Sequence, residues 1–240
     1  MADFTVVRRT ALSDAVFDQI ANRILDGTLP AGSSLPPERS LTETFGVNRQ
    51  ALREALQRLS QLGLVEIRHG ESTRVRDFRT SAGLDLVPHL LQRTDGTIDP
   101  LVVRAMTEMR SAVGADAAAL CAARAGEAEV RALRDVLSEF SDPDGESRPT
   151  ADIRFWDLVV DGSGNICYRL ALNGMRALYR RAEPLVRNVL ATERSAVHLY
   201  GEVVEAISDH DPERARSRAA LLLEHGAAAM NALFPGSENR

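Results

Sequence analysis

The chain of 240 residues contains no lysine, so all 29 of its basic residues are arginine. Cysteine is almost as scarce, and Cys121 and Cys167 are too few for a disulfide framework or a zinc-binding pattern. No apolar run approaches the roughly 20 residues that span a bilayer, and Met1–Thr10 lacks the apolar stretch of a secretory signal peptide. These absences exclude a disulfide-stapled secreted domain, and they predict a cytoplasmic protein with no membrane partner.

Enzyme motifs are lacking as well. The sequence has no glycine-rich phosphate loop, no nucleophile elbow and no Cys-x-x-Cys pair. We therefore expect a protein that is not an enzyme and that carries no resident cofactor. With 44% apolar residues, the chain can still bury one large core or two small ones.

The formal net charge of −5 argues against a nucleic-acid partner until its distribution is considered. Residues 1–77 carry ten arginines and ten acidic residues, so the acidic excess belongs to the rest of the chain. Between Arg39 and Arg76 there are seven arginines and four glutamates, which gives a local charge of +3. A modestly basic segment on an acidic body is compatible with DNA binding. A bias toward arginine codons explains the missing lysine as well as a binding role does.

Three amphipathic helices are predicted near the N-terminus. Thr10–Leu25 has apolar residues at every fourth position. The Pro36–Pro37 pair suits the start of a second helix, which Gly46 ends. Asn48 is a suitable cap for a third helix that runs to about Leu62. Two helices joined by a glycine-containing turn predict a helix-turn-helix.

The third helix is the one expected to read DNA. Arg49, Gln50 and Arg53 lie near its start on the outward side, where recognition-helix residues reach base edges. Arginine can donate two hydrogen bonds to guanine, and glutamine can pair with adenine. Taken singly, each of these side chains is more often an ordinary solvated residue. Their order along the chain is what favours DNA reading.

A two-stranded ribbon is predicted next. Val65 and Ile67 alternate with charged residues, Val75 lies between two arginines, and the chain turns near Gly70. This pattern predicts a wing with His69 and Gly70 at its tip. A small tip can enter the minor groove of DNA, whose negative potential attracts arginine and histidine.

Residues 12–77 resemble the DNA-binding domain of the GntR family of bacterial transcription regulators. The resemblance rests on five segments: Leu35-Pro36-Pro37-Glu38-Arg39, Phe45-Gly46-Val47-Asn48-Arg49, Leu52-Arg53-Glu54-Ala55-Leu56, Gly63-Leu64-Val65 and His69-Gly70. It implies that double-stranded DNA is a partner, contacted by Arg39, Arg49, Gln50, Arg53, His69 and Gly70. We add Asn48, the predicted cap, to this DNA-binding set.

The remainder of the chain is predicted to be nearly all helix. Apolar residues step by three or four along 100–140 and along 153–233, with a break at Asp161–Asn165. The fold class is therefore mostly α: a winged helix-turn-helix with a small β-ribbon over 1–77, a partly helical linker over 78–100, and an all-helical bundle over 101–235 for ligand binding and dimerisation. Cys167, beside Ile166 and Tyr168, is expected to be buried in this bundle.

Three further segments resemble the FadR-like subfamily, whose helical domain binds long-chain acyl-CoA. They are Ser81–Leu86, Ser163–Asn165 and Asn173–Tyr179. The resemblance implies a homodimer that senses a fatty acyl-CoA or a fatty acid. We assign the small-molecule effector site to six residues: Arg110, Asp152, Trp156, Asn173, Tyr179 and His225. A salt bridge for Arg110 and a plain core position for Trp156 are the structural alternatives.

A metal-binding version of the same fold is the sharpest competing hypothesis. Many GntR relatives hold a divalent metal through one aspartate and three histidines. Asp152 matches the aspartate, but the histidine positions hold other residues: Trp156, Tyr200 and Leu222. His198 or His225 could serve if the register is shifted. A full ligand set is not visible, so no metal is predicted. A small-carboxylate sensor, with or without a metal, stays the second hypothesis.

The resulting hypothesis is a dimeric regulator. Its two winged domains would read the half-sites of a pseudo-palindromic operator. A ligand in the helical domain would shift the dimer between arrangements that bind DNA and arrangements that do not. An enzyme or a constitutive architectural DNA-binding protein is the third hypothesis, and little in the sequence favours it.

Overall fold

The computed structural model describes residues 10–68, 72–93, 95–140, 148–181, 191 and 195–233. The chain divides into two compact units, Met1–Thr97 and Ile98–Arg240. The first contains a helix-turn-helix with a β-ribbon, and the described part of the second is built from helices. The predicted fold class is confirmed.

The elements of the first unit follow one another in this order: α1 (Thr10–Leu25), α2 (Glu38–Phe45), α3 (Arg49–Gln61), β1 (Val65–Glu66), β2 (Arg74–Val75), α4 (Phe78–Ser81), a 3-10 turn (Leu84–Leu86) and α5 (Val87–Leu90). The two strands are antiparallel, and Val65 is paired with Val75.

Short-range chemistry sets the ends of α2 and α3. The Oδ1 atom of Asn48 accepts a hydrogen bond from the backbone N–H of Ala51 at 2.8 Å and so caps α3. Gly46 and Gly63 follow the two helices with φ of 64° and 72°, the left-handed region that favours glycine. Gly63 has a second constraint, because a Cβ there would lie 2.4 Å from the carbonyl oxygen of Ser81.

The inner face of α3 forms the centre of the first core. Leu52, Leu56 and Leu59 are buried there together with Phe17 of α1. Leu86, from the segment predicted as a linker, belongs to the same core. The first part of that segment is therefore packed onto the DNA-binding unit.

The described elements of the second unit are α6 (Pro100–Arg124), α7 (Glu127–Glu139), α8 (Arg148–Gly162), α9 (Ile166–Arg181), α10 (Val197–Ser208) and α11 (Pro212–Leu233). Among these described helices, the most extensive pairing is between α6 and α11. Fully buried alanines, Ala117 and Ala118 on α6 with Ala215 and Ala219 on α11, let these helices approach closely.

The two cysteines lie in different environments. Cys121 is buried, and this burial raises the pKa of its thiol to about 12, so the thiol is inert. Cys167 is exposed, and the prediction that it is buried was wrong. Cys167 is the second residue of α9, and the buried Ala171 and Met175 lie one and two turns further along the same face, so that face is covered only beyond the first turn. Among the described helices, none combines the length and apolar character needed to cross a membrane.

Candidate nucleic-acid interface and effector site

The side of α3 opposite its buried leucines carries the predicted DNA-reading residues. Arg49, Gln50 and Arg53 are all exposed, because Leu52 and its neighbours one turn along take the inner face. Asn48 precedes them, with its side-chain oxygen engaged in the helix cap. The structure therefore brings these four predicted residues together at the start of one helix.

Three predicted DNA-binding side chains are paired with glutamates. The pairs are Arg39–Glu43 at 3.1 Å, Gln50–Glu54 at 3.0 Å and Arg53–Glu38 at 3.2 Å. The first two join neighbours on one helix, whereas the third joins α3 to α2. Within the described ranges, no acidic side chain is paired with Arg49.

The β-ribbon borders a groove beside α3. The groove has a volume of about 590 Å³, and its walls include Glu38, Arg53 and Arg68. Arg68 forms an ion pair with Glu66 at 3.0 Å. The predicted wing-tip residues, 69 and 70 (His69 and Gly70), lie outside the described residues.

Arg58 lies on a different side of α3 and serves the fold. Its guanidinium forms an ion pair with Asp14 of α1, and its central carbon lies 4.3 Å from the centre of the Phe17 ring. A cation above an aromatic face is an attractive contact. This arginine, one of those in the basic segment, therefore joins α3 to α1.

In the second unit, Asp152 of α8 is a buried carboxylate, only 4% exposed. The hydroxyl of Tyr200 on α10 donates a hydrogen bond to its Oδ1 atom at 2.8 Å. The ring of Tyr200 lies 4.4 Å from that of Phe140 and 4.9 Å from that of Phe155, measured between ring centres. The side chain of Asp152 thus accepts a hydrogen bond inside an aromatic cluster, as a buried polar group requires.

Trp156 lies one turn after Asp152 on α8 and is also buried. Its Nε1–H is enclosed and meets no hydrogen-bond acceptor in the part of the chain that the structure describes. The guanidinium carbon of Arg110, on α6, lies 5.8 Å from the centre of the Trp156 ring. Gly114, one turn further along α6, leaves space for that ring, since a Cβ there would lie 3.3 Å from it. The structure thus brings Arg110 to Trp156, with Asp152 one turn away.

Two of the other predicted effector residues are exposed side chains, and the side chain of the third lies outside the described residues. Asn173 is exposed on α9, and the side chain of Tyr179 lies outside the described residues. His225 is exposed on α11, with its Nδ1 atom 2.9 Å from the carbonyl oxygen of Leu221. Tyr200 enters the sequence reasoning only as the occupant of a histidine position. No periodicity indicates its contact with Asp152, which is 48 residues away.

The side chains at this centre do not fit a metal ion. In the described ranges, no group of three or more His, Cys, Asp or Glu side chains could hold one. The indole N–H of Trp156 is a donor only. Leu222 is apolar and fully buried, and the Tyr200 hydroxyl is donated to Asp152. The imidazoles that such a site uses are therefore replaced by groups that pack or donate hydrogen bonds.

Two family models match the chain. Residues 12–75 match "Bacterial regulatory proteins, gntR family", and residues 105–225 match the FCD domain. The HTH-type transcriptional regulator Mce2R of Mycobacterium tuberculosis (strain CDC 1551 / Oshkosh) is 41% identical over 240 residues, which is 98% of each chain. The fatty acid metabolism regulator protein of Pectobacterium atrosepticum is 31% identical over 188 residues, covering 78% of this chain and 77% of that protein.

A solved structure described as "Lar controls the expression of the Listeria monocytogenes agr system and mediates virulence" is similar with a TM-score of 0.55. It covers 97% of this chain and 100% of its own, at 16% identity, so the likeness shows the fold alone. The family models and the relatives show more. The chain belongs to the GntR family of bacterial regulatory proteins, and it is a ligand-responsive, DNA-binding transcriptional regulator of the FadR-like type rather than an enzyme.

Proposed function

We propose that this regulator is a homodimer whose helical unit binds a long-chain fatty acyl-CoA or fatty acid and thereby changes the affinity of its winged units for a pseudo-palindromic operator. The name of the Pectobacterium relative supports a fatty-acid effector. A two-fold dimer presents two identical reading helices, which calls for two related half-sites. A cytoplasmic setting belongs to the same proposal, because a bacterial operator is reached there.

The observation that carries the effector proposal is the polar centre formed by Arg110, Trp156 and the Asp152–Tyr200 pair. A buried N–H without an acceptor costs on the order of 1–3 kcal/mol. The carboxylate of a fatty acid or the carbonyl of an acyl thioester would supply an acceptor for the Trp156 Nε1–H. The positive charge of Arg110 favours an anionic group nearby.

The surroundings of this centre suit an apolar chain. The ring of Phe155 stands edge-on to Trp156 at 5.4 Å between ring centres. Leu223 of α11 lies beside Gly114, and one turn beyond it α11 carries the small residues Gly226–Ala229. Small side chains at a helix surface leave room for a ligand between helices.

A metal-dependent carboxylate sensor fits this centre less well. Such a site needs imidazole ligands, and the corresponding positions hold Trp156, Tyr200 and Leu222. We therefore propose an effector that is recognised by hydrogen bonds and apolar contacts. Asn173, Tyr179 and His225 stay predicted contributors to the effector site.

DNA recognition is assigned to the start of α3 and to the wing. Arginine and glutamine there would donate to base edges, and the other side chains would contact the backbone or the minor groove. The proposed set is Arg39, Asn48, Arg49, Gln50, Arg53, His69 and Gly70.

Thermal denaturation of the full chain with palmitoyl-CoA, palmitate or free coenzyme A tests the effector proposal. Palmitoyl-CoA or palmitate should raise Tm saturably, because a ligand present at 100 times its Kd stabilises the fold by about 2.7 kcal/mol. Free coenzyme A alone should have a much smaller effect. No shift with either acyl compound at tens of micromolar would contradict the proposal.

Two variants sharpen this experiment. Trp156→Phe keeps an aromatic ring but removes the buried N–H, and it should weaken acyl binding about five- to tenfold. Arg131→Gln is the matched control, because it breaks only an exposed ion pair with Glu127. Metal analysis completes the test, since one divalent ion per chain together with stabilisation by a small dicarboxylate would favour the metal-dependent sensor.

A further inference from the structure

Glu38 is the residue through which α2 contacts a DNA-reading side chain of α3. We propose that Glu38 is a positioning residue that makes Arg53 selective for a base. In this proposal the carboxylate of Glu38 holds the Nε–H of Arg53 and leaves the two terminal nitrogens for the edge of a guanine. The inference rests on the proposed DNA-reading role of Arg53.

The position of Glu38 makes it a fixed partner. It is the first residue of α2, and it follows Pro37, whose backbone is extended with φ −52° and ψ 145°. A carboxylate in the first helical turn is stabilised by the positive end of the helix dipole. Its side chain is 40% exposed, whereas that of Arg53 is 68% exposed. The acceptor is therefore the more enclosed partner of the pair.

The contact with Glu38 engages one nitrogen of Arg53 and leaves its other hydrogen-bond donors available for a base. The Nε–H donates to Glu38 at 3.2 Å, and the terminal nitrogens have no partner among the residues that the structure describes. Arginine has five N–H donors in a rigid fork, and two of them suffice for a bidentate contact with guanine. Holding the Nε fixes the plane of the fork before DNA arrives.

Charge gives the pair a second effect. The carboxylate of Glu38 offsets the guanidinium charge and so reduces the attraction of Arg53 for any phosphate. The hydrogen-bond donors for a base remain. Specificity is a difference of affinities, and a lower affinity for non-operator DNA raises it as much as a better operator contact does. Arg49, which has no acidic partner in the described ranges, contributes more of the general attraction to DNA.

Selection from a randomised duplex library by the full chain tests the proposal, because it needs no known operator. Bound DNA is sequenced for the wild type and for Glu38→Gln, Arg53→Ala and Asp14→Asn. Glu38→Gln retains the size of the side chain but removes the charge, and so it replaces the charge-assisted hydrogen bond to the Arg53 Nε–H by a weaker neutral one. Asp14→Asn is the matched control, since it also removes one carboxylate from an arginine on α3, but on the side that contacts α1.

Base preference at the positions lost in Arg53→Ala should fall about five- to tenfold in Glu38→Gln, while Asp14→Asn keeps the wild-type preferences. Affinity of Glu38→Gln for a scrambled duplex should rise about two- to fivefold, with a steeper dependence on salt. In an Arg53→Ala background, Glu38→Gln should have no further effect on base preference, as two residues acting through one contact require.

The selection experiment distinguishes an error in the proposed reading role of Arg53 from an error in the proposed positioning role of Glu38. If Arg53→Ala leaves every base preference unchanged, the proposed reading role of Arg53 is wrong. If Arg53→Ala abolishes a preference that Glu38→Gln retains in full, Arg53 reads DNA but Glu38 does not position it. Equal losses in Glu38→Gln and Asp14→Asn would also overturn the proposal, since they would indicate a general effect on the fold.

Discussion

The two units hold their proposed functional side chains in opposite environments. In the first, Arg49, Gln50 and Arg53 are presented to solvent. In the second, Asp152 and Trp156 are enclosed. DNA is a large charged surface that must be met from outside, whereas a small effector is recognised by surrounding it. An exposed site can therefore be built from one short helix, while an enclosed site needs several helices that are distant in sequence.

The largest effect is expected from the backbone of the first unit, at Gly63. Gly63→Ala should lower the stability of α3 by about 2–5 kcal/mol, because the new Cβ meets the Ser81 carbonyl in a left-handed conformation. Hydrogen exchange of the α3 amides measures this loss. Such a loss would show that the solvent-exposed face proposed to read DNA depends on a close backbone contact beneath it.

Gly46→Ala is the control for that experiment. Gly46 has a similar φ of 64°, but a Cβ there would meet no atom within 4 Å. Only the cost of the left-handed conformation applies, about 1–2 kcal/mol. Equal losses for the two variants would show that the contact between Gly63 and Ser81 is unimportant.

The second unit should be sensitive to the loss of one buried hydroxyl. Tyr200→Phe removes a hydrogen bond to the enclosed Asp152, so it should lower the free energy of unfolding by about 1–3 kcal/mol. Trp156 is the sole tryptophan of the chain, and its fluorescence reports unfolding of this unit in urea.

Tyr168→Phe provides the matched comparison. The Tyr168 hydroxyl donates to Asp116 at 2.7 Å, but that carboxylate is partly exposed. Its loss should cost less, about 0.5–1 kcal/mol, because water replaces the lost hydrogen bond. If both variants unfold at the same urea concentration, burial of Asp152 does not set the strength of its contact.

In the first unit, replacing an exposed side chain of α3 should weaken DNA binding and leave the stability of the fold nearly unchanged. Arg49→Ala should cost about 1–3 kcal/mol in operator binding and relax base preference, with stability changed by less than about 0.5 kcal/mol. Arg58→Ala should show the reverse, because Arg58 contacts Asp14 and Phe17 within the fold. Fluorescence anisotropy with a selected duplex measures the change in DNA affinity, and thermal denaturation measures the change in stability. A large loss of stability in Arg49→Ala would show that Arg49 supports the fold, which would contradict its proposed role in DNA binding alone.

The smallest effect is expected from pH at Asp116. Hydrogen bonds from Tyr168 and Arg216 lower the pKa of Asp116 below its ordinary value of 3.8. A carboxylate with a lowered pKa adds stability above its ordinary pKa, and that stability is lost as the pH falls through the lowered value. Asp116→Asn should therefore cost up to about 1 kcal/mol near neutral pH. In urea unfolding this difference should disappear only below about pH 4. A difference that grows in acid would contradict this.

The fold of the first unit could be predicted because its signals are local. The Asn48 cap and the glycine turns act over a few residues, and the alternation of the ribbon gives the pairing of Val65 with Val75. The exposure of Arg49, Gln50 and Arg53 on one side of α3 follows from helical period alone. The packing of Leu86 onto this core could not be predicted, since it depends on where the chain returns after the ribbon.

In the second unit, contacts between helices that are distant in sequence could not be predicted from local signals. Its helices could be predicted from apolar spacing, but the contact of Tyr200 with Asp152 joins two helices with no shared pattern. The exposure of Cys167 was missed for a related reason. Its apolar neighbours in sequence suggested burial, whereas the other helices cover this face of α9 only beyond its first turn, where Ala171 and Met175 lie.

Effector control of DNA binding is tested most directly by the affinity of the full chain for a selected operator duplex with and without palmitoyl-CoA, measured by fluorescence anisotropy. If the helical unit senses a fatty acyl-CoA, saturating palmitoyl-CoA should change the operator Kd by fivefold or more, a coupling of about 1 kcal/mol or greater. The change should be much smaller with free coenzyme A. Saturable binding of palmitoyl-CoA that leaves the operator Kd unchanged would contradict the account.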